Sequence, residues 1–242
     1  MATRPYMDIV NWPHTFLNEY VSPMVQMVTL WILMCLLMRW GSGGMVFRVY
    51  NTLFHELGHA VMSLATSGKV HRIELFSNAG GVAVTSNKTW ISRFLVSLAG
   101  YPFAAVIGWL MLTQATMLSA QYLAYGILGI YVLSLVLWVR NKYGILWLLA
   151  NTALVAVAIY FKQEQWAGVY FFIVGSFVLI ESIWSTLVLL YIAAENPREA
   201  GDAQNLRELT YLPSVVWALI FCLASFYFLN LTLGALIGWK LV

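Results

Sequence analysis

Between Arg93 and Arg140 the chain reads FLVSLAGYPFAAVIGWLMLTQATMLSAQYLAYGILGIYVLSLVLWV, 46 residues from Phe94 to Val139 with no charged side chain. A membrane-spanning helix needs about 20 mostly apolar residues, so this run holds two, with Thr113, Gln114 and Thr116 supplying a polar turn between them. Working outward, further apolar segments occupy Val21 to Met38, about Val46 to Thr66, Tyr143 to Phe161, Trp166 to Ala194 and Leu209 to Trp239. Only Glu181 interrupts the segment from Trp166, and Pro213 stands near the start of the last one, where a helix tolerates proline. The expected fold is therefore all-α and polytopic, with six to seven transmembrane helices.

Composition says the same. Of 242 residues, 61% are hydrophobic and 10% charged, and the mean hydropathy is +0.77. Soluble domains carry about 25% charged residues, so a disordered chain and a soluble globular one are both excluded. A net charge of +3 is too small for a nucleic-acid footprint, and no nucleic-acid partner is expected. Cys35 and Cys222 lie in apolar runs and read as small buried hydrophobes. Asn87 and Asn230 match the N-glycosylation pattern by chance, the second inside an apolar run. The first apolar run, Met24 to Met38, ends at Arg39 without a cleavage site, so it is expected to be a retained anchor. No repeat or linker divides residues 1–242, which are expected to form a single integral membrane domain.

Interfacial aromatics and cations orient the helices. Trp40, Trp90, Trp138, Trp166 and Trp239 stand at segment ends, where indoles favour the membrane interface. With seven crossings, one side holds Arg4, Lys69, Arg72, Lys88, Arg93, Arg140, Lys142, Arg198 and Arg207, against Arg39, Arg48, Lys162 and Lys240 on the other. Nine cations against four make the first side cytoplasmic. A re-entrant second helix would overturn that assignment. The compact architecture suggests a bacterial inner membrane.

One stretch departs from helix. In His71 to Thr85, two short β-favouring runs flank Ser77-Asn78-Ala79-Gly80-Gly81, which predicts a small β-hairpin. Backbone exposed to lipid is costly, so this hairpin must be covered by protein, line an aqueous cavity or lie at the interface.

Just before it stands His55-Glu56-Leu57-Gly58-His59, an H-E-x-x-H motif. On a helix, positions i and i+4 share a face, so both imidazoles can bind one Zn²⁺, with Glu56 placed to take a proton from a metal-activated water. Burying two histidines and a glutamate in an apolar helix is expensive without such a purpose. A catalytic zinc takes three protein ligands and keeps one position open. Residue type leaves several third ligands: Asp8 in the polar N-tail, Asp202 at the start of a short polar helix where it would also serve as an N-cap, Glu181 within a span, and His71 in the hairpin.

The run His55-Glu56-Leu57-Gly58-His59-Ala60, the hairpin closing on Gly80-Gly81-Val82, and the span from Arg93-Phe94-Leu95 through Ala99-Gly100-Tyr101-Pro102 resemble the site-2 protease-type intramembrane zinc metalloproteases. The likeness covers about residues 46–113 and, more loosely, 196–217. In that family the third ligand is an Asp within an N-P…L-D-G pattern. Here Asn196-Pro197 precedes Gly201-Asp202-Ala203, with the Asp present and its flanking Leu and Gly absent. The resemblance implies Asp202 as the third ligand beside His55 and His59, Zn²⁺ as cofactor, Glu56 as catalytic base, and membrane-anchored proteins as substrates.

The mechanism expected is hydrolysis of a peptide bond in or near a membrane-spanning segment. The hairpin around Gly80, Gly81 and Val82 would pair with an unwound substrate by strand addition, and Asn78 would help orient it. Three rivals stand beside it. One is an H-E-x-x-H protease completed by Glu181 or Glu199. Another is a catalytically inactive relative that binds and regulates membrane partners. The last is a transporter built on Glu181. Substrate identity and oligomeric state are not encoded in any motif.

Overall fold

The computed structural model describes residues 23–117, 120–161 and 164–237. Asp8, Trp239 and the side chain of Trp166, all singled out above, lie outside the described residues. Helices α1 (Pro23–Arg39) and α2 (Gly41–Ala65) lead into strands β1 (Lys69–Leu75) and β2 (Gly81–Ser86). Helices α3 (Trp90–Met117), α4 (Ala120–Leu137), α5 (Lys142–Tyr160) and α6 (Glu164–Glu195) follow. A 3-10 turn at Pro197–Glu199, the short α7 (Gly201–Thr210) and α8 (Ser214–Ile237) complete the described chain.

Four helical stretches are long and apolar enough to cross a membrane: Trp90–Thr113, Lys142–Tyr160, Ala167–Glu195 and Ser214–Leu236. Thr29–Arg39 and Gly43–Ala65 form a pair bent by 105°, which counts as a fifth span if taken together, and Gln121–Leu137 is a shorter apolar helix. Each of the seven apolar segments is helical over most of its described residues, the last of them from Ser214 after a break at residues 211–213. The expected count of six to seven treats α1 and α2 as separate crossings and α4 as a full one. The bend is made at Gly41, which has φ +54°, a conformation that glycine adopts without strain.

In lipid, helices gain nothing from hiding apolar surface from one another, so close packing and interhelical hydrogen bonds hold the bundle. Asn51 of α2 donates through Nδ2 to the Val178 carbonyl (3.0 Å) and Ser182 Oγ (2.6 Å) of α6. Trp31 Nε1 donates to Ser176 Oγ at 3.1 Å, and the Tyr50 hydroxyl donates to Asn151 Oδ1. Such bonds contribute roughly 0.6–2 kcal/mol each.

The hairpin forms two residues earlier than its sequence signal. Strand β1 pairs antiparallel with β2 in the register Lys69↔Ser86 through Leu75↔Gly81, with a bulge at His71. It runs back along α2, for the Thr52 hydroxyl donates to the Ala79 carbonyl at 2.7 Å in the hairpin turn. Thr52 precedes the end of α2 by 13 residues, about 20 Å along the axis. At the other end Asn87 clips the hairpin to both helices: Oδ1 accepts from Ser63 Oγ (2.9 Å) and Ser92 Oγ (3.0 Å), while Nδ2 donates to Thr85 Oγ1 (2.9 Å). The Asn87 amide therefore has a structural role. Protein also covers β1, whose Ile73 exchanges backbone bonds with the α4–α5 connection, Ile73 N–H to the Trp138 carbonyl (2.8 Å) and Arg140 N–H to the Ile73 carbonyl (3.2 Å).

Glu181 has its own partners. Its carboxylate is buried and accepts from Arg39 Nη2 and Arg48 Nε, each at 2.7 Å, and Arg39 also lies 4.5 Å from the Trp184 ring centre. This ion pair ties α6 to both sides of the α1–α2 bend, away from the histidines. Removing one member of such a buried pair is strongly destabilising, less here because both arginines are partly exposed. Glu181→Gln should therefore lower stability by roughly 2 kcal/mol, read as a lower unfolding temperature in detergent, while zinc per chain stays at the wild-type value. Loss of zinc in that variant would return Glu181 to the site.

Candidate metal centre

His55 and His59 stand one turn apart on α2, so their rings project from one face. Their Nε2 atoms lie 3.0 Å apart, and Asp202 Oδ2 lies 3.3 Å from His55 Nε2 and 3.2 Å from His59 Nε2. Among the described residues, His55, His59 and Asp202 make the group of ligating side chains whose donor atoms converge in this way.

Asp202 reaches the histidines because of the local chain path. The 3-10 turn at Pro197–Glu199 ends the long α6, and Gly201, at φ +43°, turns the backbone into α7. The N-cap of α7 is Ala200 and no side chain caps it, so Asp202 does not serve the capping role its position suggested. Ala200, Ala203 and Leu206 bury against Trp217, Ala218 and Phe221 of α8. The far end of α7 is held by Trp90 Nε1, which donates to the Leu209 carbonyl at 2.8 Å, and by Trp217 Nε1, which donates to Thr210 Oγ1 at 3.1 Å. The acid thus sits on a helix fixed to both α3 and α8. Burial by itself would raise the Asp202 carboxyl, but the facing His59 and His55 override it and hold the group below the ordinary carboxylate range.

The donor set fits zinc. His59 Nδ1 lies 2.7 Å from the Val96 carbonyl of α3, so this nitrogen carries the proton and Nε2 presents its lone pair to the cluster. Ligands at the usual Zn–N distance stand about 3.3 Å apart in a tetrahedral shell, close to the three separations observed. Two imidazoles and a carboxylate leave room for a fourth, exchangeable position, as catalytic zinc sites do.

Glu56, beside His55 in sequence, is buried and faces the hairpin. Gly81 lies directly against it: a Cβ there would stand 3.0 Å from Glu56 Cγ and 2.5 Å from Thr52 Cγ2. The other hairpin residues proposed from sequence are more open. Val82 is exposed on β2, Gly80 is half-buried, and Asn78 Oδ1 accepts from the Gly80 N–H at 2.9 Å, closing the turn. His71 is exposed, with Nε2 2.6 Å from Ser86 Oγ across the hairpin, and Glu199 is exposed in the 3-10 turn. Neither belongs to the cluster.

Several residues that matter here carried no functional signal in the sequence. Gly100 underlies both imidazoles, since a Cβ at that position would stand 2.6 Å from His55 Cε1 and from His59 Nε2. The Tyr101 ring meets the His55 ring edge-to-face with centres 4.5 Å apart. Gly58, an unconstrained position of the motif, lets α2 touch α3: a Cβ there would stand 2.7 Å from Phe103 Cβ and 3.2 Å from Gly100 Cα. The run Ala99-Gly100-Tyr101-Pro102 was part of the resemblance, with no site role attached to it. Gly100→Ala should cost at least half of the zinc per purified chain without preventing insertion, measured by atomic emission. Full zinc occupancy in this variant would show that the imidazoles can retreat from α3.

A family model described as Peptidase M50B-like matches residues 24–232 of this chain. No curated protein and no solved structure matches it significantly.

Proposed function

The chain belongs to the Peptidase M50B-like family of membrane metallopeptidases, and from that premise we propose that it is a zinc-dependent intramembrane protease. In this reading it cleaves a peptide bond in or near a membrane-spanning segment of a protein substrate. The observation that carries the reading is the meeting of His55 Nε2, His59 Nε2 and Asp202 Oδ2 within 3.3 Å of one another, one residue from the buried Glu56.

His55, His59 and Asp202 would hold the metal. A Zn²⁺ held there would supply Lewis acidity towards a scissile carbonyl and would make water more acidic. Glu56 takes the proton from the attacking water and returns it to the leaving amine. The Val96 carbonyl keeps the proton of His59 on Nδ1, so that Nε2 is free to ligate. Asp202 adds a negative charge that offsets the cation in a site of low polarity.

Substrate binding falls to the hairpin. A peptide bond in an intact helix already has its carbonyl hydrogen-bonded, so the substrate must unwind before attack. Among the described residues strand β2 pairs on one side only, with β1, and an extended substrate laid along its other edge would gain main-chain hydrogen bonds in place of those lost from its helix. Gly81, packed on Glu56, would bring that edge next to the base. Gly80, Gly81 and Val82 provide the backbone of the edge, and Asn78 holds the turn at its end.

Counted with α1 and α2 as separate crossings and α4 as a full one, nine cations fall on the side shared by Asp202 and the hairpin, and on that count the site would be cytoplasmic. On this reading the protein is a multi-pass component of a bacterial cell membrane, with membrane-anchored proteins as its substrates.

The test is to compare three purified variants in detergent and in liposomes with a helical model substrate. Glu56→Gln should keep about one zinc per chain and lose about 10²- to 10⁴-fold in turnover. Asp202→Asn should lose zinc and activity together. Gly81→Pro should retain zinc and slow cleavage, because it alters the strand edge. Cleavage at the wild-type rate by Glu56→Gln would refute the proposed mechanism, and zinc retained in Asp202→Asn would move the third-ligand role to another acid.

A further inference from the structure

The edge of the hairpin that faces away from α2 is closed by a segment with no assigned role. Residues 138–141 join α4 to α5 and lie alongside β1 as a short parallel neighbour. Ile73 donates to the Trp138 carbonyl at 2.8 Å and accepts from Arg140 N–H at 3.2 Å. Two residues along, Asn141 takes over from the backbone. Its Oδ1 accepts from the Leu75 N–H at 3.1 Å and its Nδ2 donates to the Leu75 carbonyl at 2.5 Å. One side-chain amide thus satisfies both polar groups of a strand residue, as a paired strand would.

The position of Asn141 makes this arrangement informative. It is the N-cap of α5, where an asparagine ordinarily accepts from the first free amides of its own helix. Here the side chain makes no cap hydrogen bond, although the backbone is extended at φ −99° and ψ 151° as a cap requires. The amide goes to β1 instead, at the expense of its own helix. The neighbouring turn is packed to match: a Cβ on Gly144 would stand 2.6 Å from Asn141 Oδ1 and 3.4 Å from Leu75 Cβ, so α5 begins hard against the strand end.

Leu75 is the cross-strand partner of Gly81, the residue packed on Glu56. The chain of contact therefore runs from Asn141 to Leu75, across the register to Gly81, and on to Glu56. On the far side, Thr52 Oγ1 holds the turn through the Ala79 carbonyl. The inner end of the hairpin is gripped from both sides, and its turn cannot lift from the base without breaking one grip.

We propose that Asn141 is a positioning residue for proteolysis: with residues 138–140 it closes the β1 edge and pins the Leu75–Gly81 pair, so that an extended substrate can add only at β2, beside Glu56. The kinetic part rests on the protease reading above, whereas the structural part does not. Asn141 does not touch the metal cluster, and its effect on chemistry passes through the strand register. Asn141→Asp keeps the acceptor for the Leu75 N–H and loses the donor to the Leu75 carbonyl. Asn141→Ala loses both and adds nothing.

The experiment measures zinc per chain, amide hydrogen exchange and steady-state cleavage of a helical substrate for wild type, Asn141→Asp and Asn141→Ala. Exchange at Leu75 should accelerate at least tenfold in Asn141→Ala. Leu75 exchange in Asn141→Asp should fall between wild type and alanine, and amides near the middle of α3 should stay as in wild type. Zinc should remain at the wild-type level in both variants. In Asn141→Ala kcat/KM should drop about tenfold, carried mainly by KM, with a smaller drop in Asn141→Asp. Unchanged exchange at Leu75 would overturn the proposal, and so would an equal loss of zinc and activity, which would mean a general loss of fold. Accelerated exchange with unchanged kcat/KM would also overturn it, since the grip would then not govern the substrate edge. If the wild type itself cleaves nothing, the protease reading fails, and unchanged exchange at Leu75 still decides whether the grip exists.

Discussion

Helices α2 and α3 touch backbone to backbone at Gly58 and Gly100, and the cluster of His55, His59 and Asp202 depends on that contact. Any side chain at Gly58 would collide with Phe103 and Gly100, and any at Gly100 would enter the space of both imidazoles. Small residues at a helix crossing are how membrane helices approach closely when no hydrophobic force drives them together. Here closeness also has a chemical result. The Val96 carbonyl comes within 2.7 Å of His59 Nδ1 and sets which ring nitrogen carries the proton. The ring of Tyr101 closes on His55 from the same helix. One crossing thus orients both histidines, and α7, held by α3 and α8, brings Asp202 to meet them.

A second constraint shapes everything around that crossing. Strand backbone within a membrane protein must have its N–H and C=O groups satisfied or screened from lipid. The hairpin meets the demand on β1 with four separate hydrogen bonds to residues 138–141, and at its ends with Thr52 and Asn87. Among the described residues strand β2 keeps one edge without a strand partner, and Gly81 brings that edge against Glu56. In the proposed function this edge is where an unwound peptide, with unpaired backbone groups of its own, would add. The charges follow a similar division. Glu181, the buried acid of α6, is paired with Arg39 and Arg48 at the α1–α2 bend, and Asp202 is the acid that meets the imidazole nitrogens.

Much of this was legible in the chain. The spacing of His55 and His59 requires only a helix to put both rings on one face, and the apolar run around them supplies the helix. The hairpin followed from Asn78, Gly80 and Gly81 between β-favouring runs, because those residues suit tight turns. Its start was placed two residues late, since Lys69 and Val70 carry no signal that separates strand from loop. The break between α1 and α2 was legible at Arg39 to Val46, but not the angle of the bend: Gly41, Gly43 and Gly44 permit a corner without fixing it. Nothing in the sequence singled out Asn141, between Arg140 and Lys142, because its partner, Leu75, is 66 residues away.

What the sequence by itself determined is local: which segments are apolar enough to be helices, where two imidazoles and a carboxylate share a helix, and where the chain must turn. Each of these depends on a residue and its near neighbours, through period, propensity or transfer free energy. What only the tertiary structure decided is which distant groups meet. By residue type alone Glu181 and Asp202 were comparable as acids in or beside apolar segments, and only the family resemblance favoured Asp202; in the fold one faces two guanidinium groups and the other two imidazoles. Gly100 and Asn141 acquired their importance in the same way. A glycine matters when another helix presses on it and an asparagine when a strand lies within reach, and those are properties of packing between segments that no local pattern records.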